Sequence, residues 1–83
     1  MSFPEKLTLE LMRFGQRIHQ LRKHRGFTLQ GIEREIGISN STLSKIENGM
    51  VNVEFQTIVK IAGVLKVELV ELFNYDGQLP EEN

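Results

Sequence analysis

Apolar positions in the first third of the chain recur with the period of an α-helix. One face of this helix consists of Leu11, Phe14, Ile18 and Leu21. The spacing of i, i+3, i+7 and i+10 is that of a single amphipathic stripe. Gly26 is expected to end the helix after Arg25, because glycine readily adopts the left-handed conformation that commonly closes helices. The pattern therefore predicts a first helix that ends near Arg25.

Two short amphipathic runs follow, and a glycine lies between them. Thr28 is a suitable N-cap for a second helix that ends at Gly37, and Ser39 caps a third helix that ends at Gly49. The apolar residues expected to face inward are Leu29, Ile32, Ile36, Leu43 and Ile46. Because the turn between the second and third helices is very short, the two helices cross at a steep angle, which is the geometry of a helix-turn-helix.

The rest of the chain predicts two further helices. The fourth is marked by Phe55, Ile58, Ala62 and Leu65, and the fifth by Leu69, Leu72 and Phe73. "VNVEF" has no partner run of similar length, so we expect a loop there, and "DGQLPEEN" indicates a frayed tail. The predicted fold is all-α, a compact five-helix bundle with a helix-turn-helix. Its predicted parts are an N-terminal extension (1–10), the domain (11–74) and a C-terminal tail (75–83).

The third helix is unusual because small polar side chains crowd its first two turns. They are Ser39, Asn40, Ser41, Thr42, Ser44 and Lys45. Serine and asparagine weaken a helix interior, since they compete with its backbone hydrogen bonds. They are useful if they meet DNA, because asparagine pairs with adenine, lysine with guanine, and hydroxyls with bases or phosphates. The alternative is a solvated helix face that begins with an ordinary cap.

Charge and composition limit the classes of protein to which this chain can belong. The net charge is −1, but residues 1–49 carry a net +3 and residues 50–83 a net −4, which is compatible with one basic face. Absence of cysteine excludes disulfides and thiolate chemistry. No apolar run is long enough to span a membrane, and the first residues lack the layout of a signal peptide. We therefore expect a cytoplasmic protein without a membrane partner.

Nothing in the sequence indicates an enzyme. His19 and His24 are five residues apart on the first helix, too far around it to share a metal ion. The chain contains no glycine-rich phosphate loop and no nucleophile motif. We predict no catalytic residues, no metal, no cofactor and no small-molecule ligand.

Residues 14–73 resemble the Cro/C1-type (Xre-like) helix-turn-helix family. The matched segments are "RIHQLRKHRGFT", "IGISNSTLSKIENG" and "FQTIVKIAGVLKVELVELF". The resemblance implies a five-helix, lambda repressor-like DNA-binding domain, commonly dimeric on a near-palindromic operator. We therefore expect sequence-specific binding of double-stranded DNA by a small dimeric transcriptional regulator, a repressor or autoregulator, with recognition helix 39–48 in the major groove.

The resemblance also implies roles for individual residues. The positions that match base contacts are Asn40, Ser41, Ser44 and Lys45. Those expected at the DNA backbone are Thr28, Ser39, Thr42 and Asn48. Arg22 and Glu47 match an internal salt bridge between the first helix and the end of the third, so Arg22 is not expected to touch DNA.

Three departures from the family pattern stand out. Leu29 replaces a glutamine that holds a phosphate in many members. Glu33 replaces a small alanine where the second and third helices approach, so we expect its side chain to bend into solvent or meet a cation. After Gly49 the loop "MVNVE" has no basic residue.

The fifth helix carries the candidate surface for a homodimer. Val70 lies between Glu68 and Glu71, where a polar residue is expected, and we predict an interface of Val70, Tyr75 and Val67. The alternative function is an antitoxin- or coactivator-like module that uses the same fold to bind a partner protein. The apolar residues at usually polar positions and the sparse basic complement favour that alternative.

Overall fold

The computed structural model describes residues 1–81, which form five α-helices and no strand. They are α1 (Phe3–Arg25), α2 (Leu29–Ile36), α3 (Asn40–Glu47), α4 (Phe55–Leu65) and α5 (Leu69–Phe73). The predicted all-α fold and all five helices are confirmed. Across this described span, no helix combines the length and apolar character needed to cross a bilayer.

The first helix is longer than its apolar stripe. It begins at Phe3 because Ser2 and Glu5 form a capping box, in which each side chain bonds the other residue's backbone N–H. Residues 3–10 are therefore the first turns of α1. The division of the chain into an extension and a domain at residue 11 stays a prediction.

The turn between α2 and α3 forms as its residues predict. The Thr28 hydroxyl caps α2, the Ser39 hydroxyl caps α3, and Gly37 closes α2 at a φ of 73°. That left-handed conformation is strained for a residue with a Cβ, so glycine suits the position. The tight turn brings α3 directly after α2.

The core lies where α1 crosses the other helices. α1 packs against α3, α4 and α5, while α2 packs against α3 and α4. The apolar residues buried there are Phe14, Ile18, Leu21, Ile32, Leu43, Ile46, Ile61, Ala62, Leu65 and Leu72. This core holds α3 by its inner face, so that the outer face of α3 can remain polar.

Gly15 sets how closely α1 and α3 approach. A Cβ built at this position would collide with the carbonyl groups of Ile46 and Glu47. The backbones of the two helices therefore touch at Gly15, and any larger residue has to push α3 outward. This contact therefore fixes the distance between α1 and α3.

The expectation of a frayed tail is wrong for residues 76–81. Arg17 is 2% exposed, and its guanidinium donates to the carbonyl oxygens of Glu71 (2.8 Å), Gly77 (3.2 Å) and Gln78 (3.3 Å). The tail also meets His24, whose Nε2 lies 2.6 Å from the Pro80 carbonyl oxygen. The tail docks because a buried cation needs these acceptors. The prediction also covered residues 82–83, which lie outside the described part of the chain.

Residues of α1 and the core partly cover Tyr75. This residue packs against the core, and the Arg13 guanidinium lies over its ring, 4.9 Å from the ring centre. Burial, together with the nearby Glu10 carboxylate, raises the pKa of the Tyr75 phenol above its ordinary value. Tyr75, one of the predicted interface residues, is thus partly covered by its own domain.

Candidate nucleic-acid interface

The outer face of α3 is polar along its length. Ser41, Thr42 and Lys45 are exposed, while Asn40 and Ser44 are half-buried. Its inner face is held by two side chains, Leu43 and Ile46, which are 3% and 2% exposed. A helix anchored from one side in this way presents short hydrogen-bonding groups outward, as a helix in the major groove must.

The N-terminus of α3 is largely satisfied by the protein itself. The Ser39 hydroxyl oxygen accepts the backbone N–H of Thr42 at 3.1 Å and donates to the Thr42 hydroxyl at 2.9 Å. Glu33, on α2, accepts the backbone N–H of Asn40 at 3.2 Å. Its carboxylate therefore lies at the positive end of the α3 dipole.

That position of Glu33 corrects the expectation from its sequence position. We expected its side chain to bend into solvent or to meet a cation. It instead bonds a helix N-terminus, where a carboxylate is favourable for the same electrostatic reason as a phosphate. Glu33 thus occupies one of the backbone donors that could otherwise meet DNA.

The remaining backbone-contact candidates also act as helix caps. The Asn48 side-chain amide donates to the Ser44 carbonyl oxygen at 2.8 Å, which leaves its own oxygen available as an acceptor. The Thr28 hydroxyl oxygen accepts the backbone N–H of Gly31 at 3.0 Å, and its own O–H can still donate. Capping therefore fixes the position of these side chains in the free protein.

Arg22 and Glu47 form the ion pair that the resemblance implies. Arg22 Nε lies 2.7 Å from Glu47 Oε2, a second guanidinium nitrogen lies 3.0 Å from Oε1, and both side chains are 8% exposed. Arg22 also donates to the Phe27 carbonyl oxygen at 2.9 Å. The two-point pairing ties α1 to the C-terminal end of α3, behind its outer face.

His19 joins this pair, which the sequence did not indicate. Its Nδ1 lies 2.8 Å from Glu47 Oε1 and 3.2 Å from a guanidinium nitrogen of Arg22. The signal available in the sequence was its position three residues before Arg22, on the neighbouring turn of one helix. Among residues 1–81, no three His, Asp or Glu side chains are arranged to hold a metal ion.

Internal contacts use much of the positive charge in the first half of the chain. Arg17 binds the tail, Arg22 binds Glu47, and Arg25 donates to the carbonyl oxygens of Leu65 and Lys66 at the end of α4. The lysines and arginines that remain exposed between the last turn of α1 and the end of α3 are Lys23, Arg34 and Lys45. Any contact with phosphates therefore depends on a small number of basic groups.

The family model HTH_3, described as "Helix-turn-helix", matches residues 18–72. This span contains α2, the glycine turn, α3 and every residue of the buried core except Phe14. The chain belongs to the helix-turn-helix family. This match confirms the family that the sequence resembles, the Cro/C1 (Xre-like) type.

Relatives agree with this assignment. The helix-turn-helix protein is 39% identical over 75 residues to the HTH-type transcriptional regulator SinR of Bacillus licheniformis, a match that covers 82% of this chain and 68% of the relative. It is 38% identical over 69 residues to the transcriptional regulator SlrR of Bacillus subtilis, of which it covers 45%. The chain thus spans about two thirds of one relative and less than half of the other. It is a transcriptional regulator with a helix-turn-helix domain.

A solved structure shows the same arrangement of helices. The restriction-modification controller protein C.AhdI from Aeromonas hydrophila superposes on the helix-turn-helix protein with a TM-score of 0.77 at 33% identity. The match covers 80% of this chain and 96% of the controller. The fold is therefore shared over nearly the whole of the controller protein.

Proposed function

We propose that the protein binds double-stranded DNA sequence-specifically as a dimeric transcriptional regulator, with α3 in the major groove. The observation that carries the proposal is the construction of α3. Its inner face is fixed by the core, by Gly15 and by the Arg22–Glu47 pair, while its outer face consists of short polar side chains. Regulation of transcription would place the protein with the chromosome, in the cytoplasm.

Bases and backbone would be met by different parts of this surface. We assign base contacts to Asn40, Ser41, Ser44 and Lys45, and backbone contacts to Thr28, Ser39, Thr42 and Asn48. The exposed positions of Ser41 and Lys45 on consecutive turns support the first assignment. Capping hydroxyls at Thr28 and Ser39 support the second, because fixed hydroxyls and helix N-termini commonly position a protein on phosphates.

Replacing Lys45 by alanine should relax the preference for one base pair of the binding site. Lysine in the major groove pairs with guanine O6 and N7, and such a contact discriminates by about 1–3 kcal/mol. Selection of sites from a random duplex library, followed by affinity measurements on selected and random duplexes, tests the assignment. Equal losses on both duplexes would instead make Lys45 a phosphate contact.

A dimer would place two copies of α3 on half-sites about 34 Å apart. Among the predicted interface residues, Val70 is 72% exposed, whereas Val67 and Tyr75 are partly buried against the core. The neighbouring helix α4 adds an exposed apolar stripe, because Phe55 and Val59 lie one turn apart. We therefore centre the proposed interface on Val70 and the α4 stripe, with Tyr75 and Val67 beneath it.

Val70→Glu should convert the dimer into a monomer in the absence of DNA. The substitution would bury a charge without a partner at the centre of the interface, a severe cost to association. Sedimentation equilibrium at tens of micromolar measures the change, and Met50→Glu is a matched control, because Met50 is 70% exposed in the loop after α3. A wild-type protein that remains monomeric under these conditions would contradict the dimer.

The second candidate function is that of an antitoxin- or coactivator-like module that binds a partner protein. The observation in its favour is the same α4 stripe, because exposed apolar side chains on adjacent helices are typical of a protein interface. Binding to duplex DNA separates the two functions. A protein-binding module of this kind would show no salt-dependent affinity for random duplex DNA.

A further inference from the structure

A polar groove of about 680 Å³ lies between α1 and α3. Ser44 of α3 and its C-cap residue Asn48 line one side of it, and α2 contributes Leu29, its first residue. Ser44 and Asn48 also belong to the proposed DNA-contacting set, so one wall of the groove is shared with the proposed interface. A duplex seated on α3 would therefore pass over the groove.

The donors in this groove come mainly from α1, to which no contact with DNA has been assigned. Gln16, His19 and Gln20 line the side opposite α3. Gln16 and Gln20 are one turn apart and exposed, so their side-chain amides lie next to each other on the groove wall. Leu29 cannot form a hydrogen bond with its side chain, so a phosphate in the groove would be held by α1 and α3 alone.

His19 is oriented by the ion pair at the floor of the groove. Its Nδ1 lies 2.8 Å from Glu47 Oε1 and 3.2 Å from a guanidinium nitrogen of Arg22. We assign the proton to Nδ1 because the contact with the carboxylate is the shorter one, and two acceptors would repel each other at that distance. The other ring nitrogen, Nε2, is then an acceptor in neutral histidine. A second proton makes it a charged donor, and the side chain is half-exposed at the groove.

A second proton on His19 would make the groove attractive to an anion, because of the charges around the ring. The charged groups that face the ring are Arg22 on α1 and Glu47 on α3, which neutralise each other, while Leu29 of α2 carries no charge. Protonation of His19 therefore gives the groove a net charge of about +1. A bound phosphate favours the protonated ring, so phosphate binding and proton binding strengthen each other.

We infer that the α1–α3 groove is a second DNA contact, which seats one backbone phosphate of the duplex against His19, with Gln16 and Gln20 as neutral donors. DNA binding then takes up a proton at His19 and tightens as the pH falls. This inference rests on the proposed function, since it assumes that duplex DNA lies on α3. It adds a phosphate contact that does not draw on the few exposed lysines and arginines.

The test compares two histidine variants for binding to a labelled random-sequence duplex. His19→Gln keeps a donor for Glu47 and cannot gain a charge. His24→Gln is the matched control, because His24 is on the same helix but bonds the Pro80 carbonyl oxygen in the docked tail. Affinities are measured by fluorescence anisotropy at about pH 8 and about pH 6, at ~50 mM salt and in a salt series. Melting temperatures without DNA check that each variant is folded.

Wild-type protein and His24→Gln should bind about two- to fivefold more tightly at the lower pH, the range of an exposed ion pair. Their plots of log K against log salt should steepen there by up to about 0.9, the slope for one phosphate. His19→Gln should lose both effects. A double variant, Gln16→Ala with Gln20→Ala, should weaken binding equally at both pH values.

Two results would overturn the inference in distinguishable ways. If His19→Gln keeps the pH dependence, or if the wild type binds duplex DNA without any, the phosphate does not meet His19. Duplex binding, and with it the proposed function, would then still stand. If the wild type binds no duplex at ~50 mM salt at either pH, the proposed function itself fails, and the inference fails with it.

Discussion

Arg22→Ala should lower the free energy of unfolding by roughly 3–5 kcal/mol with no DNA present, because it removes the two-point partner of the largely buried Glu47 carboxylate and leaves only the His19 ring in contact with it. The Glu47 side chain is only 8% exposed, so water from the α1–α3 groove can replace the guanidinium only in part. A loss of this size is a large fraction of the total of about 5–15 kcal/mol that stabilises a typical domain. Urea denaturation followed by circular dichroism measures it.

Lys23→Ala is the control for this variant, since Lys23 is the next residue on α1 and is exposed. Its effect should stay within about 0.5 kcal/mol, as for most surface substitutions. Removing both charges, by Arg22→Met with Glu47→Met, should restore part of the loss, because no uncompensated charge then remains buried. An unchanged stability of Arg22→Ala would show that the pair does not hold α3 in place.

Arg17→Ala should destabilise the domain by about 3 kcal/mol or more, because hydrogen bonds to a charged group contribute about 1.5–3 kcal/mol each and Arg17 makes three. The loss is less than three separate bonds would suggest, since contacts within one group are not additive. The tail should also detach from α1 in this variant. Limited proteolysis between residues 74 and 81 would detect the detachment.

Arg13→Ala is the matched control, one turn earlier on α1. Its guanidinium is 42% exposed and lies 3.8 Å from both Glu10 and Asp76, so the substitution should cost at most about 1 kcal/mol. If Arg17→Ala and Arg13→Ala have equal, small effects, the tail does not depend on the buried guanidinium.

The helices could be predicted because their ends are specified locally. Thr28, Gly37 and Ser39 act within three or four residues of their own position, so a sequence pattern suffices to find them. The start of α1 at Phe3 could also have been predicted, because Ser2 and Glu5 have the spacing of a capping box. The expected stripe began later only because the first turns of α1 carry less of the apolar pattern.

Long-range contacts were beyond the reach of such patterns. Arg17 lies three residues after Phe14, on the apolar side of α1, which suggests burial but names no partner. Its acceptors are backbone carbonyls 54 to 61 residues away, and every residue type carries a carbonyl. Gly15 likewise looks like any helical glycine until α3 is placed against it.

The polar face of α3 could be predicted, but its electrostatic surroundings could not. The residue types at 40, 41, 44 and 45 follow from the sequence alone. Glu33 and His19 reach the ends of α3 only through the packing of α2 and α1, and each changes the local charge that an approaching duplex would meet. Net charge by region overstated the basic surface, because three arginines are committed to internal acceptors.

Binding of a labelled random-sequence duplex as a function of salt tests the proposed DNA-binding surface most directly. Association should be measurable at ~50 mM salt, and log K should fall linearly with log salt by about 0.9 for each phosphate neutralised. With Lys23, Arg34 and Lys45 as the exposed cations near the turn, the slope should reach at most about −3 per protomer near pH 8. No detectable binding at ~50 mM salt, or an affinity that does not change with salt, would contradict DNA binding through α3.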